Sequence, residues 1–141
     1  MQDADDQSEM PRAAAAPTTT VLGRRAEDFA MRHLECAGLR LLTRNYRCRG
    51  GEIDLVMLDA EARVLVLVEV RSRSRADFGG AAATIGFGKQ RRLTLAARHL
   101  LMSRRELRRL RARFDVVAID PPARPGGKPQ VTWIRGAFGS V

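Results

Sequence analysis

The segment GEIDLVMLDAEARVLVLVEVRSR, Gly51 to Arg73, contains two apolar runs with carboxylates set into them. Side chains alternate across a strand. Over Glu52 to Leu58, Ile53, Leu55 and Met57 take one face, and Glu52, Asp54, Val56 and Leu58 take the other. Over Val64 to Arg73, Val64, Val66, Val68 and Val70 oppose Leu65, Leu67, Glu69 and Arg71. Matching the two purely apolar faces fixes the parity of an antiparallel hairpin, because a slip of one residue would mix them. A four-residue turn, Ala60 to Arg63, satisfies that parity. It sets Leu58 opposite Leu65, Val56 opposite Leu67, Asp54 opposite Glu69 and Glu52 opposite Arg71. A two-residue turn keeps the parity but staggers the acids.

Residues directly opposed in this way have Cβ atoms about 5 Å apart, and like charges there destabilise a sheet. In a partly buried place such a pair takes up a proton or requires a cation. Carboxylate oxygens are the donors that Mg²⁺ or Mn²⁺ prefers. The second run is apolar on both faces, which marks a central strand. Asp54 and Glu69 are therefore the first candidate site. The structural alternative is solvated acids at strand ends, with Glu52 and Arg71 as a cross-strand ion pair.

Working outward, Thr20 is placed to N-cap a helix that runs to about Ala37 and stops at Gly38. Leu22, Ala26, Phe29, His33, Cys36 and Ala37 form its expected buried stripe. Glu27 lies at the edge of that stripe, on the side of Leu34, and can reach toward whatever the helix covers. A first strand is expected from about Leu39 to Tyr46, followed by a turn at Gly50 and Gly51. Beyond the hairpin come a helix from about Gly88 to Leu101 and a second, very basic one to about Ala112. FDVVAI is a fourth strand, and VTWIR is an edge strand. The order αβββαββ predicts an α/β or α+β sheet with helices packed on it. Residues 1–19 are polar, small and proline-punctuated and read as a disordered tail, leaving a single domain over 20–141.

The chain's net charge is +9, and residues 1–19 carry −3 of it from four acids and one base, leaving +12 on the rest. So basic a domain suggests a polyanionic partner, most simply nucleic acid. No apolar run approaches the ~20 residues of a membrane span, and the N-terminus lacks a secretory pattern, so cytoplasmic residence without membrane contact is expected. Cys36 and Cys48 have no metal-ligand spacing and read as reduced thiols. His33 and His99 are lone residues on helical patterns.

GRRAEDFA, RNYRCRGGEIDLV, LVEVRSR, FGGAAATIGFGKQRRL and RFDVVAID follow one another between Gly23 and Asp120. The five pieces in this order resemble the YraN family of small bacterial proteins, which are similar to archaeal Holliday-junction resolvases. GEIDLVMLD followed by LVLVEVRSR looks like the D…E-x-K signature of restriction-endonuclease-like nucleases. The resemblance implies an α/β fold of that type, with a mixed central sheet flanked by helices. It also implies an endonuclease dependent on Mg²⁺ or Mn²⁺ that hydrolyses phosphodiester bonds in structured DNA, with branched DNA one candidate substrate and the preferred structure left open. Asp54 and Glu69 would be metal ligands, and Glu27 an extra ligand or water-orienting group. Arg71 stands where the pattern usually has lysine, and arginine serves only as a fixed cation and donor. Only Lys89 and Lys128 among 25 basic residues are lysine. We hypothesise that Lys89 points into the site and supplies the missing ammonium.

Arg24, Arg25, Arg47, Arg49, Arg73, Arg75, Arg91 and Arg92 are the candidates for holding the nucleic-acid backbone, and Gln90 could position phosphate or water. Phosphate contacts give affinity without sequence information, so structure-selective and steeply salt-dependent binding is expected. A homodimer follows by analogy with resolvases. The rival reading is a nucleic-acid-binding module that kept the fold and lost cleavage, which Arg71 favours. A third is a scaffold whose basic surface meets an acidic partner.

Overall fold

A computed structural model of the chain describes residues 19–73 and 85–139. The expected tail, apart from Thr19, and Arg75 lie outside the described residues. Helix α1 spans Thr19–Cys36, strand β1 Arg40–Cys48, β2 Gly51–Asp59 and β3 Val64–Ser72. Helix α2 spans Phe87–Ser103, a 3-10 helix Arg105–Arg109, β4 Arg111–Asp120 and β5 Gln130–Ile134. Thr20 sits inside α1 rather than capping it, a boundary difference of the size that helix ends show.

The strands form one mixed sheet in the order β1-β2-β3-β4-β5. β3 and β4 run parallel, and every other neighbouring pair is antiparallel. A parallel pair needs a crossover, and α2 provides it. The result is an α/β fold with one helix on each face of the sheet.

The β2–β3 hairpin has the register expected from its apolar faces. Leu58 pairs with Leu65, Val56 with Leu67 and Asp59 with Val64. Asp59 closes the four-residue turn by accepting the Ala62 N–H at 3.0 Å, and Arg63 takes the left-handed conformation (φ 57). Val64 to Glu69 are buried without a break, so β3 is the central strand.

Leu55, Met57, Val64, Val66, Val68, Val117 and Ile119 pack under α1 through Ala26, Ala30 and Leu34. Val56, Leu65, Leu67, Phe114 and Val116 pack under α2 through Leu93, Ala96, Ala97 and Leu100. Two expectations are corrected here. The α1 stripe is Ala26, Ala30 and Leu34; Phe29 is half-buried at its edge, and His33, Cys36 and Ala37 are exposed. Small residues at spacing four let the helix lie close to the sheet, whereas the sequence reading followed the larger side chains. Ile53 leaves the Leu55/Met57 face and joins the α2 cluster with Tyr46, its partner on β1. Between the pairs Tyr46–Ile53 and Arg44–Leu55 lie Asn45 and Asp54, and Asn45 has φ 49. Left-handed backbone breaks strand alternation, so the ribbon turns over at the level of Asp54.

The expected second basic helix is also corrected. Only Arg105–Arg109 coil, as 3-10 helix, and Arg111 already belongs to β4, opposite Val64. Leu110, Ala112, Phe114 and Val116 alternate into the α2 cluster, so strand periodicity overrides the charge run.

Candidate functional site

The β2–β3 ladder pairs residues only as far as Leu55 and Val68. One step further, the Asp54 carboxylate takes over as acceptor, receiving the Val70 N–H at 2.8 Å. This contact draws Asp54 in beside β3, within hydrogen-bonding reach of Glu69. Glu69 lies at the end of the buried run of β3, with its side chain 5% exposed. Its Oε1 meets the Lys89 ammonium at 2.9 Å. Its Oε2 is buried and receives no donor from the described residues.

The carboxyl of Asp54 is raised to about 7, first by burial and then by the negative charge of Glu69. The Val70 N–H opposes that rise, and the hydrogen bond to Glu69 and the charge of Glu27 add to it. Burial and the neighbouring Glu69 carboxylate both favour a proton on Asp54, and the Glu69 oxygen that receives no donor from the described residues lies in the same place. A proton on Asp54 relieves the repulsion by donating to Glu69. A divalent cation would relieve it as well, and the donor set of two hard carboxylates suits Mg²⁺ or Mn²⁺.

Lys89 reaches Glu69 because α2 lies unusually close to β2. A Cβ on Gly51 would stand 2.0 Å from the Arg92 carbonyl oxygen, so only glycine permits this approach of the helix backbone. Gly50 before it takes φ 95, which closes the β1–β2 turn. The glycine pair that marks a turn in the sequence therefore also seats the helix carrying Lys89.

Glu27 approaches from α1, on the other side of the sheet end. Its carboxylate is held by Arg44 at 3.3 Å, and Arg44 also binds Asp28 at 2.6 Å. The charge of Glu27 is felt at Asp54. Even so, no three His, Cys, Asp or Glu side chains converge closely enough to hold a metal among the described residues. Arg71 is half-buried two residues beyond Glu69. Glu52 meets Arg47 across β1–β2 at 3.5 Å.

Two open depressions of about 430 Å³ each flank this end of the sheet. Lys89, Arg92, Gly51 and Glu52 line one, Arg24, Glu27 and Asn45 line the other, and Arg47 borders both. Arg24, Arg25, Arg49 and Arg91 are exposed. Arg73 is placed differently: its guanidinium is bonded through two nitrogens to Asp120 and is largely covered. Gln90 turns its amide onto the Ile85 carbonyl at 2.7 Å, inside the first turn of α2. Arg104, Arg108 and Arg113 of the basic run are bound to Glu106, the Leu101 carbonyl and Asp115.

Sequence reasoning passed over Arg44 and Asp115. Asp115 is fully buried and accepts four hydrogen bonds, two from Arg113, one from the Trp133 indole and one from the Gly136 N–H. It ties β4 to β5 and the residues after it. Its only signal was an acid within an otherwise apolar strand, the same signal that marked Glu69. Tyr46 and His99 join β1 to α2 through a side-chain hydrogen bond. Both cysteines are free thiols. Among the described residues, no helix is long and apolar enough to cross a membrane.

Residues 26–119 match the model of uncharacterised protein family UPF0102. The chain belongs to that family. A UPF0102 protein of Dechloromonas aromatica is 52% identical over 124 residues, covering 88% of this chain and 93% of the relative. One from Pseudomonas entomophila is 51% identical over 116 residues, covering 82% and 91%. One from Ralstonia pickettii is 48% identical over 130 residues, covering 89% and 96%. The YraN resemblance drawn from the five sequence pieces fits this membership, and the matched span contains Glu27, Asp54, Glu69, Arg71 and Lys89.

Proposed function

We propose that this UPF0102 protein has a restriction-endonuclease-like fold and hydrolyses phosphodiester bonds in structured, branched DNA with the help of a divalent cation. The observation that carries the reading is the pair Asp54 and Glu69, with the raised proton affinity of Asp54 and the buried oxygen of Glu69 that receives no donor from the described residues. A structural ion pair would have both acids satisfied. This pair is instead short of positive charge beside an open, arginine-lined surface.

Asp54 and Glu69 would hold the cation. Bound there, Mg²⁺ or Mn²⁺ supplies a water of lowered pKa and compensates charge on the scissile phosphate. The protein's own groups act around it. The Lys89 ammonium, fixed on Glu69, offers a proton-bearing cation that Arg71 cannot replace, since guanidinium stays charged throughout the accessible pH range. Arg71 serves as a further fixed positive charge on the strand end. Arg47 and Arg92 line one depression and Arg24 the other, where they would grip phosphates on either side of the reacting one. Glu69 is held by the pairing of β3 with β4 at Val116 and Asp54 by the Val70 bond, so little reorganisation is needed at the moment of reaction.

A second reading, a nucleic-acid-binding module without cleavage, draws support from Arg71 and from Glu27 being held by Arg44. The deciding experiment incubates purified protein with branched and linear DNA in Mg²⁺, Mn²⁺ or chelator, with Asp54→Asn and Glu69→Gln as controls. Metal-dependent cleavage of branched DNA that both substitutions abolish is the expected result. Salt-sensitive binding without cleavage would establish the second reading, and no binding at low salt would overturn both.

A further inference from the structure

Arg44 holds two carboxylates that follow one another in the chain. Its Nη1 donates to Asp28 Oδ1 at 2.6 Å, and its Nη2 donates to Glu27 Oε2 at 3.3 Å. The first is a short charge-assisted bond, and the second is near the outer limit for a hydrogen bond. The Nε is buried and finds no acceptor among the described residues, so the guanidinium is anchored through these two acids. Arg44 pairs with Leu55 on β2, the neighbour of Asp54. Glu27, whose side chain is 15% exposed, is therefore bound to a cation fixed beside the strand of Asp54, its charge reaches Asp54, and it is the more weakly held of the two partners.

We propose that Arg44 is a positioning residue that parks Glu27 away from the cation site, and that Asp28 sets how firmly it does so. The proposal rests on the reading of Asp54 and Glu69 as a divalent-cation site. When a cation occupies that site, Glu27 exchanges the guanidinium for it and becomes the third carboxylate. Asp28 keeps its short bond to Arg44, so the exchange leaves no half-buried charge unpaired. The chain then carries its own competitor for the third ligand.

The test is Mn²⁺ binding to the full chain by isothermal titration calorimetry at pH 8, in wild type and in Arg44→Met, Asp28→Asn and Glu27→Gln, singly and in double variants. Arg44→Met releases Glu27 and tightens Mn²⁺ binding by about fivefold, the size expected for one partly exposed charge pair. Asp28→Asn leaves Glu27 as the stronger partner of Arg44 and weakens binding by a similar factor. Both shifts vanish in the Glu27→Gln background, because no carboxylate remains to be parked. The Asp28 side chain is 44% exposed and its loss disturbs the core less than that of Arg44, so its variant carries the test if Arg44→Met fails to fold. Shifts that persist in the Glu27→Gln background would report the general field of the lost charge and overturn the parking role, as would weakening by both single substitutions. If wild type binds no Mn²⁺, or Asp54→Asn leaves binding intact, the cation-site reading falls and this proposal with it. Binding that Asp54→Asn abolishes, with shifts indifferent to Glu27, overturns the parking role alone.

Discussion

The substitution Asp54→Asn should make this protein more stable in alkaline solution and leave it almost unchanged in acid. The Asp54 carboxyl is raised from an ordinary value of 3.8 to about 7 in the folded chain. Between these values the folded state holds a proton that the unfolded state has released, so stability falls as pH rises through that window and stays low above it. A difference of roughly 3 pH units corresponds to roughly 4 kcal/mol, and relaxation around a coupled pair reduces this to about 2 to 4 kcal/mol. An asparagine side chain is the permanent analogue of the protonated acid. Its oxygen can accept the Val70 N–H, and its amide can donate to the orphaned Glu69 oxygen. Urea denaturation in chelator at pH 4, 6 and 8 measures the effect. Asp54→Asn should exceed wild type by about 2 to 4 kcal/mol at pH 8 and converge with it near pH 4. Adding Mg²⁺ at pH 8 should then stabilise wild type and leave the variant unmoved. Equal stability at pH 8, or an advantage that does not shrink in acid, would refute the claim that the two acids lack compensating charge.

Other consequences can be checked with less effort. Gly51→Ala places a Cβ against the Arg92 carbonyl, so it should cost about 1–3 kcal/mol or more in chemical denaturation and lower Lys89-dependent cleavage, since α2 must retreat from β2. Asp115→Ala strands four donors in or beside the core and should cost about 3–5 kcal/mol while leaving Mn²⁺ affinity unchanged in whatever fraction remains folded. Lys89→Ala should reduce cleavage of branched DNA more than it reduces binding in chelator; an unaffected rate would remove Lys89 from the mechanism. Arg47→Ala and Arg92→Ala should each lower the slope of log affinity against log salt by about 1 if these residues neutralise phosphates.

Much of this architecture was legible because strand periodicity is a strong constraint. The valine face of β3 and the Leu55/Met57 face of β2 admit one parity, and Asp59 with Arg63 completes the turn that sets the register. That register runs as far as Leu55 and Val68, and the Val70 N–H bond then draws Asp54 in beside Glu69. Lys89 was legible for a different reason, as an ammonium retained in an arginine-rich chain at the start of a helix. What escaped were features fixed by tertiary geometry. Asn45 takes a left-handed backbone that no composition rule demanded, and it sends Ile53 to the other face. The closeness of α1 depends on Ala26 and Ala30, which carry little hydrophobic signal compared with Phe29. Arg73 and Arg113 looked like surface charge but are bound by Asp120 and Asp115, acids distant or inconspicuous in the sequence. Arg44 lies 16 residues from Asp28, and only the packing of α1 against β1 makes them partners.

The account turns on whether the Asp54–Glu69 pair captures a divalent ion. The most direct measurement is a crystal structure of the protein soaked in Mn²⁺ at pH 8, read at the manganese absorption edge. The account predicts an anomalous peak bonded to the Glu69 oxygen that now lacks a donor and to the Asp54 carboxylate, and no such peak in Asp54→Asn. An empty pair in saturating Mn²⁺ would contradict it.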